Sequence, residues 1–351
     1  MMNYTCIDSF CGAGGLGLGL ERAGFDILLS FDIDPICIET IKANSRYFHH
    51  PAEQADIKNM LNGKLLEKCG LQRGELFLLA GGPPCQGFSV QRRGSDVDAR
   101  NDLVLKYGQL INELYPRYFV MENVSGLGGK RGKTILEQLI EDVKALGYTV
   151  HVDMLDAQEF EVPQRRKRYI IVGERNDMGE HFLYPTPSER RITVRETIGH
   201  MPVPPEDGTD FPGIPWHRRD KLSELNLKRI NALKEGQGRD DLPPELLADC
   251  HKVASDVIGY RNVYGRMAWD EVAPTITARF DSFTRGKFGH PDQPRSISLR
   301  EGALLQTFPA DFIFTGNKVD VARQIGNAVP PVLAEKIGTS ILEAYQKAGE
   351  L

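Results

Sequence analysis

The sequence lacks the features typical of membrane proteins, of secreted proteins with disulfide frameworks and of proteins with structural metal sites. No apolar run is long enough to span a membrane, and the N-terminus MMNYTCIDSF has no basic segment followed by an apolar one. No Cys-x-x-Cys pair occurs, which argues against a disulfide framework and against a structural zinc site. The six cysteines are scattered, at Cys6, Cys11, Cys37, Cys69, Cys85 and Cys250. We therefore expect a cytoplasmic protein in a reducing compartment, without a bound metal.

An excess of positive charge is also lacking. The chain has 43 Lys and Arg against 48 Asp and Glu, a formal net charge of −5. Nucleic-acid binding would therefore need a local basic face. Three candidates are Gln164–Arg168 (QRRKR), Arg190-Arg191 and His217–Arg219. Taken alone, each such patch is more often a solvated surface than a binding site.

What is present is an alternation of short apolar runs and helical stretches over the first two hundred residues. The predicted strands are Tyr4–Phe10, Ile27–Phe31, Glu53–Ile57, Glu75–Ala80, Tyr118–Met121, Tyr148–Leu155 and Tyr169–Val172. The predicted helices are Leu18–Ala23, Pro35–Asn44, 101–115 and 133–146. Short apolar runs bounded by breakers are typical of buried parallel strands. The pattern predicts a doubly wound α/β fold with a mostly parallel sheet.

The remainder of the 351 residues has a different texture. Residues 200–215 (HMPVPPEDGTDFPGIP) are rich in proline and glycine, and the region to about 300 shows no large core pattern. Ala328–Gln346 again has apolar residues at helical spacing, and such a helix needs the large domain as its partner. We predict a large domain of residues 1–195 plus 324–351, with residues 196–323 as a small inserted domain.

Polar residues gather where the predicted strands end. Gly12–Gly17 (GAGGLG) is a Gly-x-Gly-x-x-Gly turn that opens a helix, and Asp32 follows Gly12 by twenty residues, where a carboxylate can bind ribose hydroxyls. Asp56, Cys85 and Glu122-Asn123 end or follow the next three strands. Ligands of open parallel sheets bind beyond the carboxyl ends of the strands. The turn alone is compatible with an NAD-dependent oxidoreductase, or with a tight turn that binds nothing.

The segment Gly81–Ser89 (GGPPCQGFS) is the feature that an oxidoreductase leaves unexplained. Two prolines form a stiff, extended lead-in, and the flanking glycines permit turns that other residues resist. This arrangement indicates that the thiol of Cys85 is held in a defined direction.

Six motifs in order resemble those of the cytosine-C5 DNA methyltransferases. They are Phe10–Gly19, Gly81–Ser89, Glu122–Val124, Gln164–Arg168, Arg295–Glu301 (RSISLRE) and Gln324–Pro331 (QIGNAVPP). The resemblance covers nearly the whole chain except about 205–270. Two departures occur: Asp32 stands where the family often has Glu, and Ala55 precedes Asp56 where glycine is common. The resemblance implies a Rossmann-like, S-adenosylmethionine-dependent methyltransferase whose small domain recognises the target, with specificity in roughly 200–290.

The resemblance also implies a mechanism. The thiolate of Cys85 adds to C6 of cytosine, because C5 of the aromatic ring is otherwise too poor a nucleophile to take a methyl group. Glu122 relieves the charge at N3, if burial keeps a proton on it near neutral pH. Arg166 and Arg168 supply fixed cations, with Arg166 at the ring oxygen O2.

The implied cofactor is S-adenosylmethionine. Its methionine part would lie over the glycine turn, its ribose on Asp32, and its adenine near Ile33, Asp56 and Ile57. The residues expected to line this site are Phe10, Gly12, Gly14, Gly15, Leu16, Asp32, Ile33, Asp56, Ile57, Pro83, Leu103, Asn327 and Val329. For Ile33, Leu103 and Val329, core packing is an equally good explanation.

The implied substrate is double-stranded DNA with the target cytosine flipped out of the helix. Residues 90–101 (VQRRGSDVDARN) would form a loop that closes over DNA, with Arg92 and Arg93 near phosphates and Gln91 near the vacated stack; a surface loop without function is the alternative. Thr275, Thr277 and Arg279 are further candidates for backbone contacts. We expect a monomeric, site-specific enzyme of a bacterial or phage restriction–modification pair, with a companion endonuclease.

Two further functions remain as alternatives. The RNA-methylating branch of the same family shares the catalytic motifs, but its usual Cys-Phe-Thr signature is missing here. A DNA-binding relative without activity is disfavoured by the intact Cys85, Glu122 and QRRKR motifs.

Overall fold

Seven strands form one sheet in the computed structural model, which describes residues 4–84, 102–248 and 263–349. The strands are β1 (Thr5–Ser9), β2 (Asp26–Asp32), β3 (Ala52–Gln54), β4 (Leu78–Gly81), β5 (Tyr118–Val124), β6 (Tyr148–Asp156) and β7 (Lys167–Arg175). Their order across the sheet is β3-β2-β1-β4-β5-β7-β6. Neighbours from β3 to β5 are parallel, whereas β7 is antiparallel to both β5 and β6. The predicted mostly parallel α/β sheet is confirmed.

Ten α-helices lie within the described residues. They are α1 (Gly15–Ala23), α2 (Pro35–Ala43), α3 (Lys64–Cys69), α4 (Asp102–Leu114), α5 (Lys130–Ala145), α6 (Val194–Ile198), α7 (Glu224–Ala232), α8 (Leu299–Leu305), α9 (Lys318–Asn327) and α10 (Pro331–Gly349). None of these helices is both long enough and apolar enough to span a membrane.

Helices cover both faces of the sheet because side chains alternate along each strand. On β1, Ile7 belongs to a buried cluster that includes residues of α4 and α5. The next residue, Asp8, lies against Gly17 of α1 on the other face. Helix α10 packs on α1 at Gly19, where an added Cβ would lie 2.3 Å from the carbonyl oxygen of Pro331. The glycine in α1 therefore allows close helix packing.

The chain divides into two compact units. The larger comprises Met1–Phe160, Lys167–Pro187 and Ala328–Leu351, and the smaller comprises Glu161–Arg166 and Ser188–Asn327. The C-terminal helix α10 belongs to the larger unit, together with the whole sheet. The smaller unit has its own apolar cluster, formed by Ile230, Leu233, Leu242 and Phe283. The assignment of target recognition to this part of the chain stays a prediction.

Several element boundaries differ from the prediction, and three of these differences concern residues predicted at the site or the C-terminal helix. The third strand is Ala52–Gln54 rather than Glu53–Ile57, and Asp56 instead caps a 3-10 helix at Ile57–Asn59, with its carboxylate accepting from the Lys58 amide at 3.0 Å. Glu122 and Asn123 lie inside β5 rather than after it, because pairing with β7 continues through both residues. The C-terminal helix begins at Pro331, not at Ala328.

Candidate active site

The glycine turn after β1 is tied to the end of β2. Asp32 accepts hydrogen bonds from the backbone amides of Gly12 and Asp34, each at 2.9 Å. Gly12 and Gly14 have φ of +52° and +83°, which favours glycine at both positions. Burial raises the pKa of Asp32, and the two amides partly offset this. A carboxylate oxygen can accept further hydrogen bonds, so Asp32 keeps the capacity to bind a hydroxyl.

The space beside Gly12 is open, whereas the space beside Gly14 is filled by Phe48. A Cβ added at Gly12 would meet no heavy atom within 4 Å. Ile33 is 63% exposed, so core packing does not explain its apolar side chain. An open glycine turn, an exposed apolar side chain and a carboxylate suit the amino acid, adenine and ribose parts of a nucleoside cofactor.

The other residues predicted at the cofactor site have mixed surroundings. Leu16, Ile57 and Val329 are buried, Phe10 and Leu103 pack partly buried against the core, and Asp56 is half-buried. Gly15 is the buried first residue of α1. Asn327 is exposed at the end of the smaller unit. Core packing therefore remains sufficient for Leu103 and Val329.

A buried carboxyl beneath the turn was missed by sequence reasoning. Asp8 is fully buried in β1, and its Oδ2 would lie 2.8 Å from a Cβ added at Gly17. Burial, reinforced by the charge of Asp32, raises the pKa of Asp8 to about 8, although the Gly17 amide opposes the shift. The available signal was an acid within the otherwise apolar run Cys6–Phe10.

The segment 82–84 that follows β4, here called the proline arm, is fixed to β5. Pro83 accepts a hydrogen bond from the Asn123 side-chain amide at 2.9 Å. A Cβ added at Gly82 would lie 3.4 Å from Glu122 Oε2. At Gly81 such an atom would lie 2.4 Å from the Ser9 hydroxyl, so the arm leaves the sheet through a space that only glycine fits. Cys85 itself lies outside the described residues.

Glu122 forms an ion pair with Arg168 within the larger unit. Arg168 Nε lies 2.8 Å from Glu122 Oε1, and both side chains are largely buried, at 14% and 11% exposure. The antiparallel register pairs Glu122 with Ile170 and places Arg168 opposite Val124, two residues along β5. The sheet therefore brings together the glycine turn, the proline arm, the carboxylate and one cation at the carboxyl ends of β1, β2, β4 and β5.

Arg166 has a different environment, in the smaller unit. Its guanidinium donates to the carbonyl oxygens of Ile276 and Gly326 at 3.0 and 3.1 Å, and the side chain is 1% exposed. Alternation along QRRKR explains this, because Gln164 and Arg166 are buried whereas Arg165 and Lys167 are exposed. The predicted contact of Arg166 with a cytosine oxygen stays a prediction.

The residues predicted to contact DNA are only partly described. Gln91, Arg92 and Arg93 lie outside the described residues. Thr275 donates to the Arg165 carbonyl oxygen, and Arg279 pairs with Asp281 at 3.3 Å. Thr277 is half-buried, and its carbonyl oxygen accepts from the Phe280 amide. Within the described ranges, no three His, Cys, Asp or Glu side chains are grouped so as to hold a metal ion.

Comparison with known proteins shows the same family along nearly the whole chain. A family model described as C-5 cytosine-specific DNA methylase matches residues 4–343. Type II methylase M.HgiDII of Herpetosiphon aurantiacus is 35% identical, over 95% of this chain and 94% of its own. Type II methyltransferase M1.HphI of Haemophilus parahaemolyticus is also 35% identical, over 97% and 87%. A crystal structure named as a DNA modification methyltransferase encoded within an E. coli prophage has a TM-score of 0.77 at 24% identity, covering 98% of this chain and 100% of that one, and shows the shared fold.

Proposed function

The chain belongs to the C-5 cytosine-specific DNA methylase family, and we propose that it transfers a methyl group from S-adenosylmethionine to C5 of a cytosine flipped out of double-stranded DNA. The observation that carries this proposal is the position of Glu122. Its carboxylate lies beside Gly82 of the proline arm and 2.8 Å from Arg168. A general acid and a fixed cation thus stand at the base of the segment that leads to Cys85.

The chain's own residues would act as follows. The Cys85 thiolate forms a bond to C6, which moves electron density onto C5. Glu122, once it has taken up a proton, gives that proton to N3 as the thiolate adds and so neutralises the charge that develops on the ring. Arg168 holds the carboxylate in place through its charge. After methyl transfer the C5 proton leaves to water, and its bonding electrons re-form the C5–C6 double bond as the C6–S bond breaks. N3 returns its proton to Glu122, and Cys85 departs as the thiolate.

S-adenosylmethionine supplies the electrophilic methyl group when bound. Gly12, Asp32 and the exposed Ile33 fit it, because they combine a backbone turn, a carboxylate and an apolar surface at one edge of the sheet. The contacts of the other residues predicted to line the cofactor site are also part of this proposal.

Three of the other cysteines are poorly suited to be the nucleophile. Burial raises the pKa of Cys6, Cys11 and Cys69, so these groups stay protonated thiols near neutral pH. This supports Cys85 as the source of the reactive thiolate.

A covalent trapping experiment tests the proposal. Fluorine at C5 leaves no proton to remove after methyl transfer, so the C6–S bond cannot break. A denaturing gel of enzyme, S-adenosylmethionine and 5-fluorocytosine DNA should show a shifted, heat-stable band. Cys85→Ala should lose both the band and methyl transfer but keep cofactor and DNA binding. Glu122→Gln should slow methylation by roughly 10²–10⁴-fold.

Three results would contradict this mechanism. They are methylation by Cys85→Ala, an adduct at Cys11 or Cys69, and activity on tRNA but not on DNA. With 5-methylcytosine in DNA as its product, the protein would be the modification enzyme of a restriction–modification pair, in keeping with the names of its relatives. We also propose that it acts as a monomer in the cytoplasm and is accompanied by an endonuclease.

A further inference from the structure

One exposed arginine of the smaller unit differs from all the others that the structure describes there. Arg285 is exposed, and its guanidinium has no hydrogen bond or ion pair with any described residue. In residues 161–166, 188–248 and 263–327, the guanidinium of every other arginine has a hydrogen-bond or ion-pair partner, either a side chain or a backbone carbonyl. The other fourteen described arginines of the smaller unit are paired, so Arg285 is the one whose guanidinium is available for an external ligand.

The segment that carries Arg285 is held by a series of hydrogen-bonded turns. The amides of Phe280, Ser282 and Arg285 donate to the carbonyl oxygens of Thr277, Arg279 and Ser282, at 3.0 to 3.2 Å. Arg285 ends a 3-10 helix that begins at Phe283. The backbone of residues 277–285 is therefore closed by successive turns rather than extended.

Three buried phenylalanines anchor this segment. Phe280, Phe283 and Phe288 are at most 2% exposed. Glycine makes room for two of them, since a Cβ added at Gly302 would lie 2.1 Å from Phe280 and one at Gly286 would lie 2.2 Å from Phe288. The three buried phenylalanines hold the turn against the interior of the smaller unit, while Arg285 stays on the surface.

Charge fixes the same segment from the side. Asp281 is buried at 4% side-chain exposure and lies 3.3 Å from Arg279 Nε and 3.2 Å from Lys318 Nζ at the start of α9. Arg279 is therefore engaged within the turn, whereas Arg285 is not. Next to Arg285, the hydroxyls of Ser282 and Thr284 lie 3.1 Å apart.

We propose that Arg285 is a base-reading residue of the target site, donating two hydrogen bonds to N7 and O6 of a guanine in the major groove. An arginine fork can also bind a phosphate through two donors, so the test below separates a phosphate contact from base reading. The guanidinium of Arg285 is carried by an anchored turn, so its two parallel donors can be held toward N7 and O6 of one guanine. This pairing of arginine with guanine is the commonest specific contact in DNA recognition. The inference rests on the proposed DNA methyltransferase function and adds to it a residue that sets specificity.

The test compares methylation profiles on a random-sequence DNA library, read by bisulfite sequencing. Wild type should give a consensus that contains a guanine besides the target base pair. Arg285→Ala and Arg285→Lys should both lose discrimination at that one guanine, by roughly 5- to 150-fold, while other positions keep theirs. The lysine variant matters because it retains the charge but not the planar, rigid fork of donors.

Arg195→Ala is the matched control. Arg195 is exposed in the same unit but pairs with Asp270 at 2.7 Å, so its loss should leave the consensus unchanged. Thermal melting should be unaffected in Arg285→Ala, because the side chain has no described partner. An unchanged consensus in both Arg285 variants, or equal weakening on all sequences with a salt slope lower by about one, would refute base reading. Absence of methylation by wild type would instead overturn the proposed function itself.

Discussion

Asp8→Asn should remove a pH dependence of stability that the wild-type protein owes to one buried acid. Burial and the charge of Asp32 raise the pKa of Asp8 from its ordinary 3.8 to about 8 in the folded state. The folded protein therefore holds this proton more tightly than the unfolded chain does. The contribution to stability is complete below pH 4 and is lost progressively as the pH rises to 8.

The magnitude follows from the size of the shift. Each pH unit between the two pKa values corresponds to 1.36 kcal/mol, so a shift of about four units is worth roughly 5 kcal/mol at most. At pH 7 the variant should be more stable than wild type by about 4 kcal/mol, a large share of the 5–15 kcal/mol typical of folded proteins. The asparagine reproduces the shape of the neutral acid without a charge to bury.

Urea unfolding of both proteins between pH 5 and 8 provides the measurement. The difference in stability should widen by about 1.4 kcal/mol per pH unit. Glu39→Gln on α2 is the control, because Glu39 is exposed and its removal should not change the slope. A constant difference between Asp8→Asn and wild type across this range would show that Asp8 is ionised in the folded protein.

Further predictions follow from the packing and the site. Gly19→Ala should destabilise the protein by about 1–3 kcal/mol through its clash with Pro331 and Ala334, whereas Gly349→Ala, in open space, should change little in a thermal melt. Asp32→Ala should weaken S-adenosylmethionine binding by about 1–3 kcal/mol; calorimetry that shows an unchanged Kd would remove Asp32 from the site. Arg168→Ala should lower kcat by roughly 10- to 100-fold, because a charged contact is worth about 1.5–3 kcal/mol; an unchanged kcat would show that Glu122 does not need Arg168 for catalysis. Arg92→Ala with Arg93→Ala should flatten the salt dependence of DNA binding by roughly one unit for each arginine that neutralises a phosphate, and an identical slope would exclude phosphate binding there.

The sheet could be predicted because its strands are short apolar runs between breakers. The error at the third strand has a local cause: β3 has only three residues, and Asp56 leaves it to cap a 3-10 helix. Helix α1 begins at Gly15, before the predicted start at Leu18, because its glycines are selected for packing against Asp8 and α10 rather than for helix propensity.

The position of Glu122 and Asn123 could not be predicted from β5 alone. Two polar residues after an apolar run indicate a loop by composition, yet pairing with Ile170 and Tyr169 keeps both in the strand. That pairing depends on β7 lying antiparallel beside β5, which no local pattern encodes. The same register places Arg168 near Glu122, and nothing in the sequence QRRKR indicates that ion pair.

The order along β5 explains how a carboxylate can be held in a fixed position near the carboxyl end of an interior strand. Strand pairing fixes the backbone of Glu122, while the next residue, Asn123, points to the opposite face and ties down Pro83. A side chain on a loop would have to be positioned by its own contacts, at a cost in conformational entropy. Here strand pairing already fixes the backbone, so little further conformational entropy is lost. Glu122 and Asn123 together determine where the carboxylate lies and where the proline arm that leads to Cys85 begins. Exchanging Asn123 for Asp would keep the shape of the side chain but replace its donor by an acceptor that faces the Pro83 carbonyl oxygen, so the arm should lose its anchor while Glu122 keeps its place.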